Sequence, residues 1–300
     1  MRYKRTLIFF IMMLSFLLYA CGTKEKEDRT GEVGDSKDQQ KNQGQDADQA
    51  SGTDTTEVTI SEQVLYDEGG LKITATSLEM EEFLGPEIKV LIENNTDQDI
   101  TVQTREVSIN DLMMEPTFSS DVAAGKKAND SISFFKNELE RNAIDKIAKI
   151  ELRLNIFAED FDTIAETDPI LIYTTAKDNY VQTYDDSGKV LYEKNGIRII
   201  DKGLANDEFF GPEIRVYIEN NTTKAITVQV ENVSVNGFMA DPIFSSDISP
   251  GKKINDGISF LDLDENGIER IEEAELSFNI FDMNSLDDID ISDPIRLTYE

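Results

Sequence analysis

One segment in the second half of the chain carries oxygen ligands at the spacing of a calcium-binding loop. Residues 262–267 (DLDENG), followed by Glu273, satisfy the pattern D-x-[DN]-x-[DN]-G-x5-E. The carboxylate and amide oxygens of Asp262, Asp264, Asn266 and Glu273 are hard ligands of the kind that calcium takes. These four residues are therefore the calcium candidates of the chain.

Two observations favour an ordinary helical turn over a calcium loop. Glu269 stands where such loops usually carry an apolar residue. The first half of the chain repeats the same element with Ala143 and Lys149 in place of the glycine and the last ligand. Short motifs also occur often by chance. We therefore expect no cofactor, and calcium stays an alternative.

Two pairs of large apolar residues each precede a Gly-Pro dipeptide. The pairs are Phe83 with Leu84 and Phe209 with Phe210. At an exposed loop tip, such residues would anchor a ligand or partner, as aromatic hot spots do in interfaces. Large apolar residues more often lie in the core, which is the favoured interpretation. The four residues are candidate ligand-binding positions on the first interpretation.

The composition excludes several chemistries. The chain has no histidine and one cysteine, so it has no Ser-His-Asp triad, no histidine-ligated zinc and no intramolecular disulfide. Its formal net charge of -31 disfavours binding to nucleic acid. We expect no enzyme. A hydrolase with two carboxylates is the remaining catalytic alternative.

The N-terminus has the layout of a secretory signal peptide. A basic start is followed by the apolar run 6–18 (TLIFFIMMLSFLL), which is too short to span a bilayer. Residues 18–21 (LYAC) resemble the bacterial lipobox, although Tyr19 is larger than usual. The sequence thus predicts a signal peptide over 1–20, lipidation of Cys21, and an extracytoplasmic protein anchored to the outer face of the cell membrane.

A polar stretch follows the predicted anchor. Residues 22 to about 57 have almost no large apolar side chains. Such a segment cannot bury enough surface to offset its ordering entropy. We expect residues 21–58 to form a disordered linker that carries the lipidated cysteine.

The rest of the chain is a duplication. At an offset of 126 residues, 39 of the 71 positions from 64 to 134 are identical. After a two-residue deletion, residues 154–157 (LNIF) match 278–281 (FNIF). The unit is longer than a solenoid repeat. We therefore predict two domains, over 59–176 and 177–300.

Each copy has the alternating pattern of β-strands. Residues 87–93 place Ile88, Val90 and Ile92 on one face, and an Asn-Asn-Thr turn leads into the next strand. About seven short strands per copy predict an all-β fold of two tandem immunoglobulin-like antiparallel β-sandwiches. Residues 137–147 and 264–271 predict one short helical insertion in each, and residues 181–184 predict a strand that enters the second copy.

The recurring motifs also resemble a known family. They are L-Y-[DE]-x-x-G-[LI]-[KR]-I, F-x-G-P-E-I, I-E-N-N-T, F-S-S-D-[VI] and D-P-I, over residues 59–300. They are similar to tandem immunoglobulin-like domains in lipoproteins of Firmicutes, mostly uncharacterised. The resemblance implies an immunoglobulin-like fold and an extracytoplasmic location, and it carries over no catalytic residues.

Three functions remain open from the sequence. The first is a non-catalytic binding or adhesion module for an envelope protein or glycan, in which duplication raises avidity. The second is a structural spacer or envelope-assembly lipoprotein without a ligand. The third is the carboxylate-based hydrolase. A binding module predicts an apolar patch on both copies, whereas a spacer predicts a stiff joint between patch-free domains.

Overall fold

The computed structural model describes residues 57–81, 84–207, 211–261 and 263–300. The fold is all-β, as predicted, and residues 55–300 form one compact unit. The first copy contributes β1 (Gln63–Glu68), β2 (Leu71–Glu81), β3 (Gly85–Asn94), β4 (Ile100–Ile109), β5 (Leu112–Met113), β6 (Ser119–Val122), β7 (Lys127–Ser133), β8 (Lys149–Ala158), β9 (Thr163–Glu166) and β10 (Ile170–Tyr173).

The second copy repeats the same ten strands in the same order. They are β11 (Lys189–Lys194), β12 (Ile197–Asp207), β13 (Gly211–Asn220), β14 (Ile226–Val235), β15 (Phe238–Met239), β16 (Ser245–Ile248), β17 (Lys253–Ser259), β18 (Glu273–Asp282), β19 (Asp288–Ile291) and β20 (Ile295–Thr298).

The strands form three sheets, and one of them runs through both copies. Strands β1-β2-β3-β7 form the first sheet, and β15-β14-β18-β19 form another with β16 and β20. The remaining strands form a ten-stranded sheet in the order β10-β8-β4-β5-β17-β13-β12-β11, with β6 and β9 attached. Pairing is antiparallel, except where β5 of the first copy meets β17 of the second in parallel.

Strand alternation produces the cores that the sequence predicts. Ile88, Val90 and Ile92 on β3 are buried, and they share one core with Val102 on β4 and Ile150 on β8. Side chains from both sheets of the first copy therefore face each other. The second copy builds an equivalent core, in which Ile214 on β13, Val228 on β14 and Phe278 on β18 are fully buried.

The two predicted helical insertions exist but are short. The first is helix α1 (Lys136–Arg141), which buries Leu139. The second is a single 3-10 turn over Asp264–Asn266. Gly267 ends that turn in the left-handed region, at φ +69°, a conformation that glycine adopts without strain.

The prediction of a strand over residues 181–184 was wrong. This segment has no strand partner, and Val181 is 88% exposed. Its polar side chains bond to the first copy instead. The Tyr184 hydroxyl donates to the Asn110 carbonyl oxygen at 2.8 Å, and Gln182 Nε2 donates to the Ala143 carbonyl oxygen at 3.1 Å. The segment thus ties the copies together.

The Asn-Asn-Thr turn is held by a buried asparagine in each copy. Asn220 is fully buried, and its Nδ2 donates to the carbonyl oxygens of Lys224 and Ile248, both at 2.8 Å. Its Oδ1 accepts hydrogen bonds from the backbone N–H and the hydroxyl of Thr222. Asn94 makes the same bonds in the first copy.

Replacing Asn220 with alanine is expected to lower the free energy of unfolding by about 3 kcal/mol, because several buried polar groups lose their partner. The neighbouring Asn221 is exposed. Its replacement should cost less than about 0.5 kcal/mol. Urea unfolding of both variants measures the difference. Equal small losses would mean that the backbone alone holds this turn.

Candidate functional site: the junction and the cleft between the copies

A buried lysine of the second copy fixes the junction to the first. Lys252 Nζ lies 2.9 Å from Asp111 Oδ1 and 2.8 Å from Glu151 Oε2, and its side chain is only 7% exposed. Lys149 adds a second cation, 2.7 Å from Asp111. Two lysines and two carboxylates thus form one compact network, in which each buried charge has a partner.

These contacts set the pKa values of the network. Burial lowers the pKa of Lys252, but hydrogen bonds to Glu151 and Asp111 outweigh it and hold the pKa above its ordinary value. Burial raises the pKa of Asp111, but hydrogen bonds from Lys149 and Lys252 outweigh it and hold the pKa below its ordinary value. Both groups are therefore held in their charged forms.

Other contacts surround this network. The backbone N–H of Lys253 donates to the Asp111 carbonyl oxygen at 3.0 Å, and its ammonium lies 4.4 Å from the centre of the Tyr184 ring. Asn255 Nδ2 donates to Asn142 Oδ1 at 2.9 Å. Tyr217 of the second copy packs into the core of the first. The copies are therefore joined by strand pairing, ion pairs and shared core.

Beside this junction lies a cleft with walls from both copies. It encloses about 620 Å³, a volume within the range of small-ligand sites. Six acidic side chains and two arginines line it, so its charge is negative. Its polar lining includes Glu115, Glu138 and Arg141 from the first copy and Asp247 and Asp256 from the second.

Helix α1 and strand β17 place the main carboxyls of the cleft. Glu138 lies on α1, and its Oε1 accepts the backbone N–H of Glu115 at 3.1 Å. Asp256 on β17 accepts the hydroxyl of Ser246 and the backbone N–H of Gly257, the latter at 2.8 Å. Glu138 and Asp256 are half-buried, whereas Glu115 is exposed at the rim. The carboxyls of Glu138 and Asp256 are thus held in position by hydrogen bonds.

All three carboxyls have raised pKa values. Protein that displaces the surrounding water is the main cause for each. This effect is partial at Glu115, which stays exposed, and it raises the pKa of Glu138 to about 7. The negative charges of Asp256 and Asp247 further raise the pKa of Glu115. Burial also raises the pKa of Asp256, with a contribution from Glu213. The cleft therefore concentrates negative charge that the protein compensates only in part.

The charge of the cleft would attract a cation. A cationic group there would relieve the repulsion among these carboxylates, and it would lower the raised pKa values of Glu115, Glu138 and Asp256.

The structure describes one of the four apolar candidates. Leu84 lies in the turn before β3 and is 63% exposed, beside Phe135, which is 49% exposed. Phe83, Phe209 and Phe210 lie outside the described residues. In the second copy, Leu261 aligns with Phe135 and is also exposed. An exposed apolar residue therefore recurs at this end of each copy.

The calcium candidates are dispersed over two elements. Asp264 and Asn266 lie in the 3-10 turn, whereas Glu273 begins β18 and pairs with Arg296. Asp262 lies outside the described residues. Among the residues that are described, no group of three or more histidine, cysteine, aspartate or glutamate side chains could hold a metal ion. The segment forms the helical turn that the sequence analysis favoured over a calcium loop.

The predicted lipidation site, Cys21, lies outside the described residues, as do the signal peptide and most of the predicted linker. Within the part that the structure describes, none of the helices has the length and apolar character needed to cross a membrane.

Sequence reasoning missed the cleft residues Glu115, Glu138 and Asp256. In a chain with 60 acidic residues, none of them stands out by type or spacing. One signal was available. Lys149 and Arg153 of the first copy are replaced by Glu273 and Ser277 in the second. In the first copy these two residues pair with Asp111 and Glu106, which contact Lys252 and Ser249 of the second copy.

Comparisons with known proteins leave the family open. No family model matches the chain, and no curated protein matches it. Among solved structures, the YadV chaperone is 12% identical over 70% of this chain and 92% of its own, with a TM-score of 0.23. The CsuC–CsuE chaperone–tip adhesion subunit complex of Acinetobacter baumannii is 11% identical over 70% and 90%, with a TM-score of 0.20.

A third solved structure, red sea bream transglutaminase, is 13% identical over 69% of this chain and 29% of its own, with a TM-score of 0.17. Similarities at these identities and TM-scores carry no argument about what this chain does.

Proposed function

We propose that this chain is a non-catalytic, lipid-anchored binding module outside the cell membrane, with two immunoglobulin-like sandwiches and a ligand site in the cleft between them. The observation that carries the proposal is the cleft with three carboxyls of raised pKa, built from both copies. The ligand would present a positively charged group, such as an amine or a basic side chain, to Glu138 and Asp256.

The contacts at the junction support this proposal. Because Lys252 and its partners hold both walls, a ligand would not have to order them on binding. A preorganised site loses less conformational entropy when it binds. The anchor and the location rest on Cys21 and the signal-peptide pattern, and the immunoglobulin-like topology rests on the strand pattern and the family resemblance.

The junction is also what a spacer would need, because strand pairing and ion pairs between the copies would hold them in one arrangement. A spacer does not need three poorly compensated carboxyls in a cleft, because each raised pKa reflects a cost of keeping that group charged. It also does not need exposed apolar residues such as Leu84 and Leu261. These two features favour the binding module.

Tetralysine peptide is the probe that tests the charge preference of the cleft, with the fully N-acetylated peptide as its uncharged control. Calorimetric titration of the full chain should show saturable binding of tetralysine alone. Binding should be tighter at pH 8 than at pH 6 and should release protons at pH 7, because the cation favours the ionised form of Glu138, whose pKa is about 7.

Glu138→Gln should weaken tetralysine binding about tenfold and remove most of the proton release. Glu140→Gln is the matched control, since Glu140 is exposed on the same helix and does not line the cleft. If both substitutions weakened binding equally, the overall negative charge of the chain would explain the binding, and the cleft would not be the site. The absence of saturable binding would favour the spacer.

A further inference from the structure

The hairpin that forms the junction in the first copy exists again, in the same conformation, in the second. Asn110 at the tip of β4-β5 donates to the Lys146 carbonyl oxygen and accepts the backbone N–H groups of residues 148 and 149. Asn236 at the tip of β14-β15 donates to the Arg270 carbonyl oxygen and accepts the N–H groups of residues 272 and 273. Both tips are therefore held alike.

The two hairpins differ in what covers them. Leu112 and Met113 on β5 are 1% and 7% exposed, because β17 of the second copy pairs with Leu112 and the core of the second copy takes in Met113. The equivalent residues on β15, Phe238 and Met239, are 49% and 72% exposed. Phe238 and Met239 are thus exposed to solvent, although their hairpin is held in place. The equivalent residues of the first copy are buried in an interface.

The surface that covers the first hairpin also exists twice. Lys252, which precedes β17, and the β17 residues Lys253 and Asn255 contact the first copy. The equivalent strand β7 is preceded by Lys126 and carries Lys127 and Asn129, which are the same residue types. β7 is the edge of its sheet, and these three residues are exposed.

We propose that the β14-β15 hairpin of one chain docks on the β7 edge of a second copy of the same chain, and so repeats the internal junction between molecules. Phe238 would lie against Lys127, as Leu112 lies against Lys253. The partner is a second copy of the chain, because the internal junction shows which kind of surface fits this hairpin. The chain has such a surface a second time, at the β7 edge, where it is exposed.

Polar groups at both ends of the proposed contact match those of the internal junction. Glu151, which binds Lys252, is retained as Glu275, so Lys126 of the second molecule would meet a carboxylate. Asn142, which accepts from Asn255, is retained as Asn266, opposite Asn129. Both Glu275 and Asn266 are exposed in the single chain.

The intermolecular contact is weaker than the internal one. Gly237 replaces Asp111, so one carboxylate of the lysine network is missing. The net charge of -31 also makes two chains repel each other. Because hairpin and edge are different surfaces, the association is head-to-tail and can continue into a row of molecules. Confinement on a membrane would raise the local concentration that such a row needs.

A photo-crosslinking amino acid, p-benzoylphenylalanine, placed at Phe238 of the full chain tests this contact. Light and ¹⁵N-labelled chains are mixed at about 0.1 mM in detergent, a concentration suited to weak interfaces, and illuminated. Mass spectrometry should find mixed-isotope crosslinks from position 238 to residues 126–129. The same group at Ile291, which is 51% exposed on β19, should give few crosslinks between chains.

Lys126→Glu should reduce the yield of these crosslinks at least about threefold, because it would face Glu275. Crosslinks from position 238 to position 238 of the other chain would indicate a symmetric dimer and overturn the proposal. An absence of crosslinks between chains would overturn it as well. Neither result would affect the cleft, which lies within one chain.

Discussion

Replacing Lys252 with alanine is expected to lower the free energy of unfolding by about 3 kcal/mol. The substitution removes the cation that Asp111 and Glu151 share, while Lys149 compensates only Asp111. A partly buried carboxylate, Glu151, is then left without its partner. Because the network joins the copies, the loss should also appear as separate unfolding steps for the two copies in urea.

Lys126→Ala is the matched control for this prediction. Lys126 is the equivalent residue of the first copy and is exposed. Its replacement should change the free energy of unfolding by less than about 0.5 kcal/mol. If the two alanine variants were equally stable, the lysine network would not hold the junction.

The negative charge of Glu138 in the cleft is expected to destabilise the folded protein at high pH. Glu138→Gln should increase the free energy of unfolding at pH 8 by about 2 kcal/mol. This is less than the free energy that corresponds to the whole pKa shift, because the carboxyl keeps some contact with solvent. Burial raises the pKa of Glu138 from 4.5 to about 7. At pH 8 the folded protein therefore holds a carboxylate where its surroundings favour the neutral acid.

The sign of the pH dependence follows from proton binding. Between pH 4.5 and 7, folded Glu138 holds its proton and unfolded Glu138 does not. The stabilisation from this group is complete below pH 4.5 and disappears as the pH rises through 7. Glutamine cannot lose a proton, so the advantage of Glu138→Gln should be absent at pH 4.5 and complete at pH 8.

Glu140→Gln, on the exposed side of the same helix, is the control. It should show no comparable difference between pH 4.5 and pH 8. Thermal unfolding at several pH values measures both variants. A stability gain in Glu138→Gln that did not depend on pH would assign the effect to packing, and the carboxyl would not be under electrostatic strain.

Local pattern predicted most of the fold. Alternation of Ile88, Val90 and Ile92 correctly predicted a strand, and the duplication correctly predicted that both copies have the same strands. The pattern predicted about seven strands per copy, whereas the structure has ten, because it did not reveal short strands such as β5 and β15. The prediction for residues 181–184 was wrong, because an alternating pattern does not show whether a segment pairs with a strand or makes hydrogen bonds through its side chains. Tyr184 makes a side-chain hydrogen bond, from its hydroxyl to the Asn110 carbonyl oxygen.

The cleft could not be predicted from local pattern. Glu138 and Asp256 are 118 positions apart, and only the packing of the two copies brings them to one cavity. The same holds for Lys252, which looks like any surface lysine until Asp111 and Glu151 meet it. Contacts between the copies depend on how two whole sheets dock against each other. The repeated sequence pattern contains no information about that docking.

Methyl NMR of the methionines tests whether a cation binds in the cleft. Met113, Met114 and Met283 line the cleft, whereas Met80 and Met239 lie elsewhere on the surface. With ¹³C-methyl labelling, saturating tetralysine should shift the signals of the first three and leave the other two in place. Shifts confined to Met80 or Met239, or unchanged signals at all five, would contradict a cation site in the cleft.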